Sequence, residues 1–169
     1  MNNNERLMRL KSALYINDEK MVEIFKCGYM DFSTEEINKM CLVAYENFTD
    51  EEKEAVLVCK NDVFEAFLNG FIILKRGETE SDKGKPRPLM LGEKDIKNVN
   101  NVLLKKMKIA LSLTNDDLID IFKSVGIETN NRELSPIFRK EGHKHYKKCS
   151  DAFVLGFIDG IAKLKHTFE

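Results

Sequence analysis

The residues with most chemical character stand together late in the chain: Arg139, Lys140, Glu141, Gly142, His143, Lys144, His145, Tyr146, Lys147, Lys148 and Cys149. Five cations against one acid, with a phenol ring among them, suit contact of Lys and Arg with phosphates and stacking of Tyr146 on a base. On that reading the polyanion-contacting set is Arg139, Lys140, Lys144, Tyr146, Lys147 and Lys148. The plainer reading is a solvated basic loop with Tyr146 tucked under it, and the balance tips that way. The whole chain holds 27 basic against 28 acidic residues, whereas dedicated nucleic-acid binders are usually strongly basic.

The same stretch offers two further chemistries. His143, His145 and Cys149 are the ligand types that zinc prefers, but their spacing matches no standard zinc motif and no fourth ligand accompanies them. Cys149 follows two lysines just ahead of an expected helix, an arrangement that lowers a thiol pKa. Its counterpart Cys59 follows Val56, Leu57 and Val58, which points to a small apolar side chain packing at a helix start. The chain has no P-loop, no G-x-G-x-x-G, no G-x-S-x-G and no H-E-x-x-H. No catalytic, cofactor-binding or metal-ligating residue and no cofactor is therefore expected, and the expectation leans away from an enzyme.

What must position these residues is a duplicated unit. Residues 8–26 read MRLKSALYINDEKMVEIFK, and residues 105–123 read KKMKIALSLTNDDLIDIFK, an echo 97 positions later. A second echo pairs 59–75 (CKNDVFEAFLNGFIILK) with 149–165 (CSDAFVLGFIDGIAKLK). Repetition of this kind marks tandem copies of one supersecondary unit. Leu7, Leu10, Ala13 and Leu14 fall on one helical face; Met21, Ile24 and Phe25 recur as Leu118, Ile121 and Phe122. Asparagines 2–4, echoed by Asn101, stand where a cap belongs, as do Asn17 with Asp18 and Thr114 with Asn115. Gly28 and Gly126 are expected helix stops.

Ser33 with Glu36 resembles a capping box opening a third helix, and Thr49 to Glu52 a cap for a short additional one in the first copy. In the second copy Pro136 is expected to delay the third helix to Ser135. The last helix of each copy, centred on Phe67 and Phe157, is the most apolar. Gly70 and Gly160 recur inside these helices and are read as places where a neighbouring helix approaches closely. The expected organisation is a first helical copy at 1–76, a linker at 77–98 with Leu89, Met90 and Leu91 as an apolar patch that docks, and a second copy at 99–169. The fold class is all-α, two tandem homologous bundles of about four helices each.

No apolar run reaches membrane-spanning length, no signal peptide opens the chain, and four cysteines without C-x-x-C spacing suit reduced thiols, so a cytoplasmic protein off the membrane is expected. The copies differ in charge: fourteen acids against ten bases over 1–76, nine against twelve over 99–169. The order of elements from 105 to 140 also resembles a helix-turn-helix with Arg132, Arg139 and Lys140 facing DNA. Against it, Pro136 interrupts the recognition element, and the first copy carries Glu35, Glu36 and Glu46 at comparable places.

The duplicated helix, FLNGFI at 67–72 and LSPIFRKEGHKHYKKCSD at 134–151 together resemble the YehS-like family of bacterial proteins, which carries a tandem domain of unknown function. The likeness covers nearly all of the chain outside the linker and is looser in the first copy, where an acidic stretch at 45–58 replaces the basic one. The resemblance implies a bacterial cytosolic protein and supplies no reaction, cofactor or catalytic residue. The expected function is a non-enzymatic binding or regulatory module with a protein partner; the alternative is nucleic-acid binding through 139–148.

Overall fold

Side-chain caps start most of the helices. Asn2 accepts the Glu5 N–H at the head of α1 (Asn3–Ala13), and Asn17 accepts that of Lys20 at α2 (Asp18–Cys27). Reciprocal capping boxes, Ser33 with Glu36 and Thr49 with Glu52, open α3 (Thr34–Met40) and the short α4 (Asp50–Glu54). The first repeat ends with α5 (Asn61–Arg76). After residues 77–98 come α6 (Val99–Ala110), α7 (Asn115–Ser124), α8 (Asn131–Leu134) running into a 3₁₀ turn at Ser135–Phe138, and α9 (Asp151–Lys163). This computed structural model describes residues 1–43 and 47–164, and every regular element among them is helical. The expectations placed on Tyr45, on Glu46 and on Lys165 lie outside the described residues.

Three local expectations are corrected. Asn4 and Asn101 are not caps: each sits buried within the first turn of its helix and binds backbone far along the chain. The helix ahead of Pro136 starts earlier than Ser135, because Asn130 caps it by accepting the Glu133 N–H; the proline then falls in the 3₁₀ turn, whose first residues need no donor. Gly28 does end α2, but at φ −89°, so its role is not the left-handed turn. That conformation belongs to Tyr29 at φ +64°, matched by Gly126 at φ +79° in the second repeat.

The two repeats pack by the same contacts. A Cβ on Gly70 would overlap the Ile24 carbonyl oxygen and lie 3.0 Å from its carbon; on Gly160 it would lie 2.6 Å from the Ile121 oxygen and 3.2 Å from its carbon. α5 thus crosses α2, and α9 crosses α7, backbone against backbone. Gly28 adds to the first crossing, since a Cβ there would overlap the Ala66 carbonyl. Beside each crossing a phenylalanine pair stands tilted, Phe25 with Phe67 at 5.6 Å and Phe122 with Phe157 at 6.4 Å between centroids, all four rings fully buried.

The repeats also share one core. α5 lies between α2 and α6, and α9 between α7 and α1, so the first helix of each repeat covers the last helix of the other. Buried side chains from both repeats, Leu7 through Ile161, form a single contiguous cluster. Polar groups close the seam. Arg6 donates to Asn3 and to Asn100, both at 2.9 Å, while Asn3 donates to Asn61 (2.9 Å) and Asn100 to the equivalent Asp151 (2.7 Å). The connecting segment is tied down by a carboxylate: fully buried Glu65 accepts the backbone N–H groups of Met90 (2.6 Å) and Leu91 (2.9 Å). Lys106 balances its charge at 3.0 Å and donates also to Asn69. Leu91 is buried, whereas Leu89 and Met90 remain half exposed.

Candidate anion-binding face

Pro136 sets the basic loop. The 3₁₀ turn it enters leaves its carbonyl to accept the Lys147 N–H (3.0 Å), closing the loop, and Gly142 at φ +89° makes the tight turn between. Asn101 then clamps both ends: its amide donates to the carbonyls of Ile137 (3.0 Å) and Lys147 (2.8 Å), and its oxygen accepts the Cys149 N–H (2.9 Å). The first repeat repeats this clamp atom for atom. Asn4 donates to Leu42 (3.0 Å) and Leu57 (2.9 Å) and accepts from Cys59 (2.8 Å).

Within the loop, Tyr146 is half buried and its hydroxyl donates to the Asn98 oxygen, so the ring is anchored under the loop. Burial, with the charge of Glu141, raises its pKa. Asn98 donates in turn to Glu141 (2.6 Å) and Asp95 (2.9 Å). Arg139, Lys140, Lys144, Lys147 and Lys148 are exposed, and none of them has an ion-pair partner among the described residues. His143 and His145 are exposed with ring centroids 5.7 Å apart. Cys149 is buried away from solvent, and no group of three His, Cys, Asp or Glu among the described residues could hold a metal ion. Burial pushes the thiols of Cys59 and Cys149 up to about 12, the reverse of nucleophile activation.

Three of the six residues picked from the sequence meet in one place. Arg139, Lys140 and Tyr146 line a cleft of about 300 Å³ with Lys105 of α6 and the apolar side chains of Met90, Val102 and Ile137. Lys144, Lys147 and Lys148 stand outside it. The packing reading of the helix-turn-helix likeness is the one that fits, because four-residue α8 and a 3₁₀ turn are too short to serve as a recognition helix.

The family model described as "Protein of unknown function (DUF1456)" matches residues 3–77 and again 100–166. The chain belongs to this DUF1456 family. The duplication is thus visible twice, as two matched segments and as two sets of equivalent contacts. A relative in Escherichia coli (strain K12), "Uncharacterized protein YehS", is 30% identical over 166 residues, covering 98% of this chain and 97% of its own length. No solved structure matches the chain. No helix among the described residues is long and apolar enough to cross a membrane.

Membership of the DUF1456 family leaves the site to be read from the residues, and some of those were missed in the sequence. Lys108 of α6 occupies the place of Lys11 in α1. Lys11 is neutralised by Asp18 at 2.7 Å, while Lys108 meets an amide, Asn115, at 2.8 Å. The contact is retained and the cancelling charge is gone. Lining up the two repeats exposes this difference, which a pass along either one alone does not. Arg76, at the end of α5, reaches Ser112 on the same side of α6.

Proposed function

We propose that the protein is a non-enzymatic binding module whose contact face belongs to the second repeat and whose ligand is anionic. One observation carries this reading: 139–148 holds five exposed cations without a carboxylate partner among the described residues, where the first repeat has the acidic helix α4. Ion pairs elsewhere on the surface, such as Arg9 with Glu5 and Lys20 with Glu23, neutralise their cations locally. Protonated, buried Cys59 and Cys149 favour binding over covalent chemistry. An acidic protein surface fits such a face, and so does a nucleic acid; the second reading is favoured by the density of cations rather than by a stacking ring, since Tyr146 is tied to Asn98.

The test is retention on immobilised heparin. Wild type should be held at low salt, and the variant with Lys144, Lys147 and Lys148 all changed to Ala should elute earlier, because each lost contact removes one released counterion. Reversal of Glu51 and Glu52 should have little effect on elution. Passage of wild type without retention overturns the reading.

A further inference from the structure

We propose that the outer side of α6 is a track for single-stranded nucleic acid, with one phosphate held at Lys105 and one base in the cleft on each side of it. The inference rests on the second repeat being an anion-binding face, and adds to it the place and the ligand class.

The geometry points there because Lys105 lines two clefts at once. On one side is the cleft of about 300 Å³, lined by the exposed cations Arg139 and Lys140 and by the apolar side chains of Met90, Val102 and Ile137. On the other is a cleft of about 390 Å³ lined by Arg76, Lys108, Ile109 and Phe138. Lys108 lies 4.7 Å from the centroid of the Phe138 ring, which holds the cation over an aromatic face. Cations therefore flank two part-apolar recesses, and a single cation lies between them. A strand with its charges between its bases matches this order, and paired bases within a duplex cannot enter the recesses.

The amides in the first cleft have their bonds already. Asn98 donates to Asp95 and Glu141 and accepts from Tyr146, and Asn101 is spent on the loop clamp. With no free amide to read a base edge, binding is tolerant of sequence. Among the described residues Glu141 is the one carboxylate lining the cleft, and it opposes a phosphate there.

The probe is a fluorescein-labelled ten-residue oligo-dT, read by fluorescence anisotropy against the full chain at several salt concentrations. For single strands each neutralised phosphate contributes a log–log salt slope of about 0.7, so Lys105→Ala should lower that slope by about 0.7 and weaken binding about eightfold at roughly 50 mM salt. Asn115→Asp restores the ion pair of the first repeat and cancels Lys108 without deleting it. An acid in the first turn of α7 suits the helix dipole, so this variant should fold as well as wild type and yet bind the strand more weakly. Glu141→Gln should bind more tightly. A duplex of the same length should bind less well than the single strand, and labelled polyglutamate of equal charge less well again. Unchanged binding by both Lys105→Ala and Asn115→Asp overturns the track, as does equal affinity for duplex or polyglutamate. Heparin retention separates the two levels: retained protein with an indifferent α6 leaves the charged loop standing and removes the track.

Discussion

An asparagine used identically in both repeats decides where the loop before each last helix can lie. Asn101 satisfies two carbonyls and one N–H that are otherwise without helical partners, and Asn4 does the same. Asn101→Ala strips a buried backbone N–H of its acceptor, so it should cost about 1 to 3 kcal/mol and shift the urea midpoint accordingly. Because the clamp also holds the cleft wall at Ile137, oligonucleotide or heparin binding should weaken in the folded variant. The thiol next to the clamp gives an independent check. Cys149 and Cys59, with pKa raised to about 12 by burial, stay protonated at pH 9 in the folded chain. Iodoacetamide should therefore modify the part-exposed Cys27 and Cys41 first, and reach Cys59 and Cys149 only after urea is added. The same shifts fix a sign: a thiol raised on folding stabilises below its unfolded pKa and loses that contribution as pH climbs from about 9 towards 12. Peptide mapping after labelling at pH 8 and pH 10 checks the order of modification, and urea midpoints at the same two pH values check the sign.

Helices pair here for reasons of very different visibility. That a neighbouring helix comes close at Gly70 and Gly160 was legible, since both glycines recur in apolar helices where glycine costs about 1 kcal/mol and so must serve a purpose; that the neighbours are α2 and α7 was not. Caps were legible because Ser33, Thr49, Asn17 and Thr114 act on their own first turn. The partnership of α1 with α9 and of α5 with α6 was not, because the repeats carry like apolar faces and periodicity says which face is buried without saying against which copy. Glu65 stands between Phe64 and Phe67, where a carboxylate must have partners, but those partners, Met90, Leu91 and Lys106, lie too far along the chain for local pattern to show them. Of the candidate site, Arg139, Lys140 and Tyr146 could be seen as neighbours in sequence; Lys105, Lys108 and Arg76 come to the same face only through the fold. The Glu65 and Lys106 pair carries its own prediction. Lys106→Met leaves a buried carboxylate without its cation and should destabilise by about 3 to 5 kcal/mol. Adding Glu65→Gln should recover part of that loss: it removes the unpaired charge, but Met90 and Leu91 donate to separate carboxylate oxygens, so the single amide oxygen keeps only one of the two N–H bonds. Urea midpoints of wild type, both single variants and the double variant complete the cycle; a double variant no better than Lys106→Met alone removes the charge explanation.

Two repeats joined through one core should unfold as one. Each last helix is covered by the first helix of the other repeat, and the buried side chains of both form one cluster, so neither repeat can lose its packing while the other keeps its own. Phe157 is the sharpest place to ask. Its ring is fully buried in α9 beside Phe122, and truncation to Ala should cost about 3 to 5 kcal/mol through lost burial and a cavity. In a chain whose whole stability is of the order of 5 to 15 kcal/mol, that loss is large enough to read without ambiguity. The informative measurement is hydrogen exchange at amides of the other repeat. Under a shared core, Phe157→Ala should lower protection in the middle of α5, around Phe67 and Leu68, by the same free energy as in α9 itself. Urea unfolding followed by circular dichroism should remain a single transition with an unchanged slope and a lower midpoint. Undiminished protection in α5, or a second transition retaining the first repeat, means that the seam formed by Arg6, Asn3 and Asn100 joins two separately stable units, and the single cooperative core is then wrong.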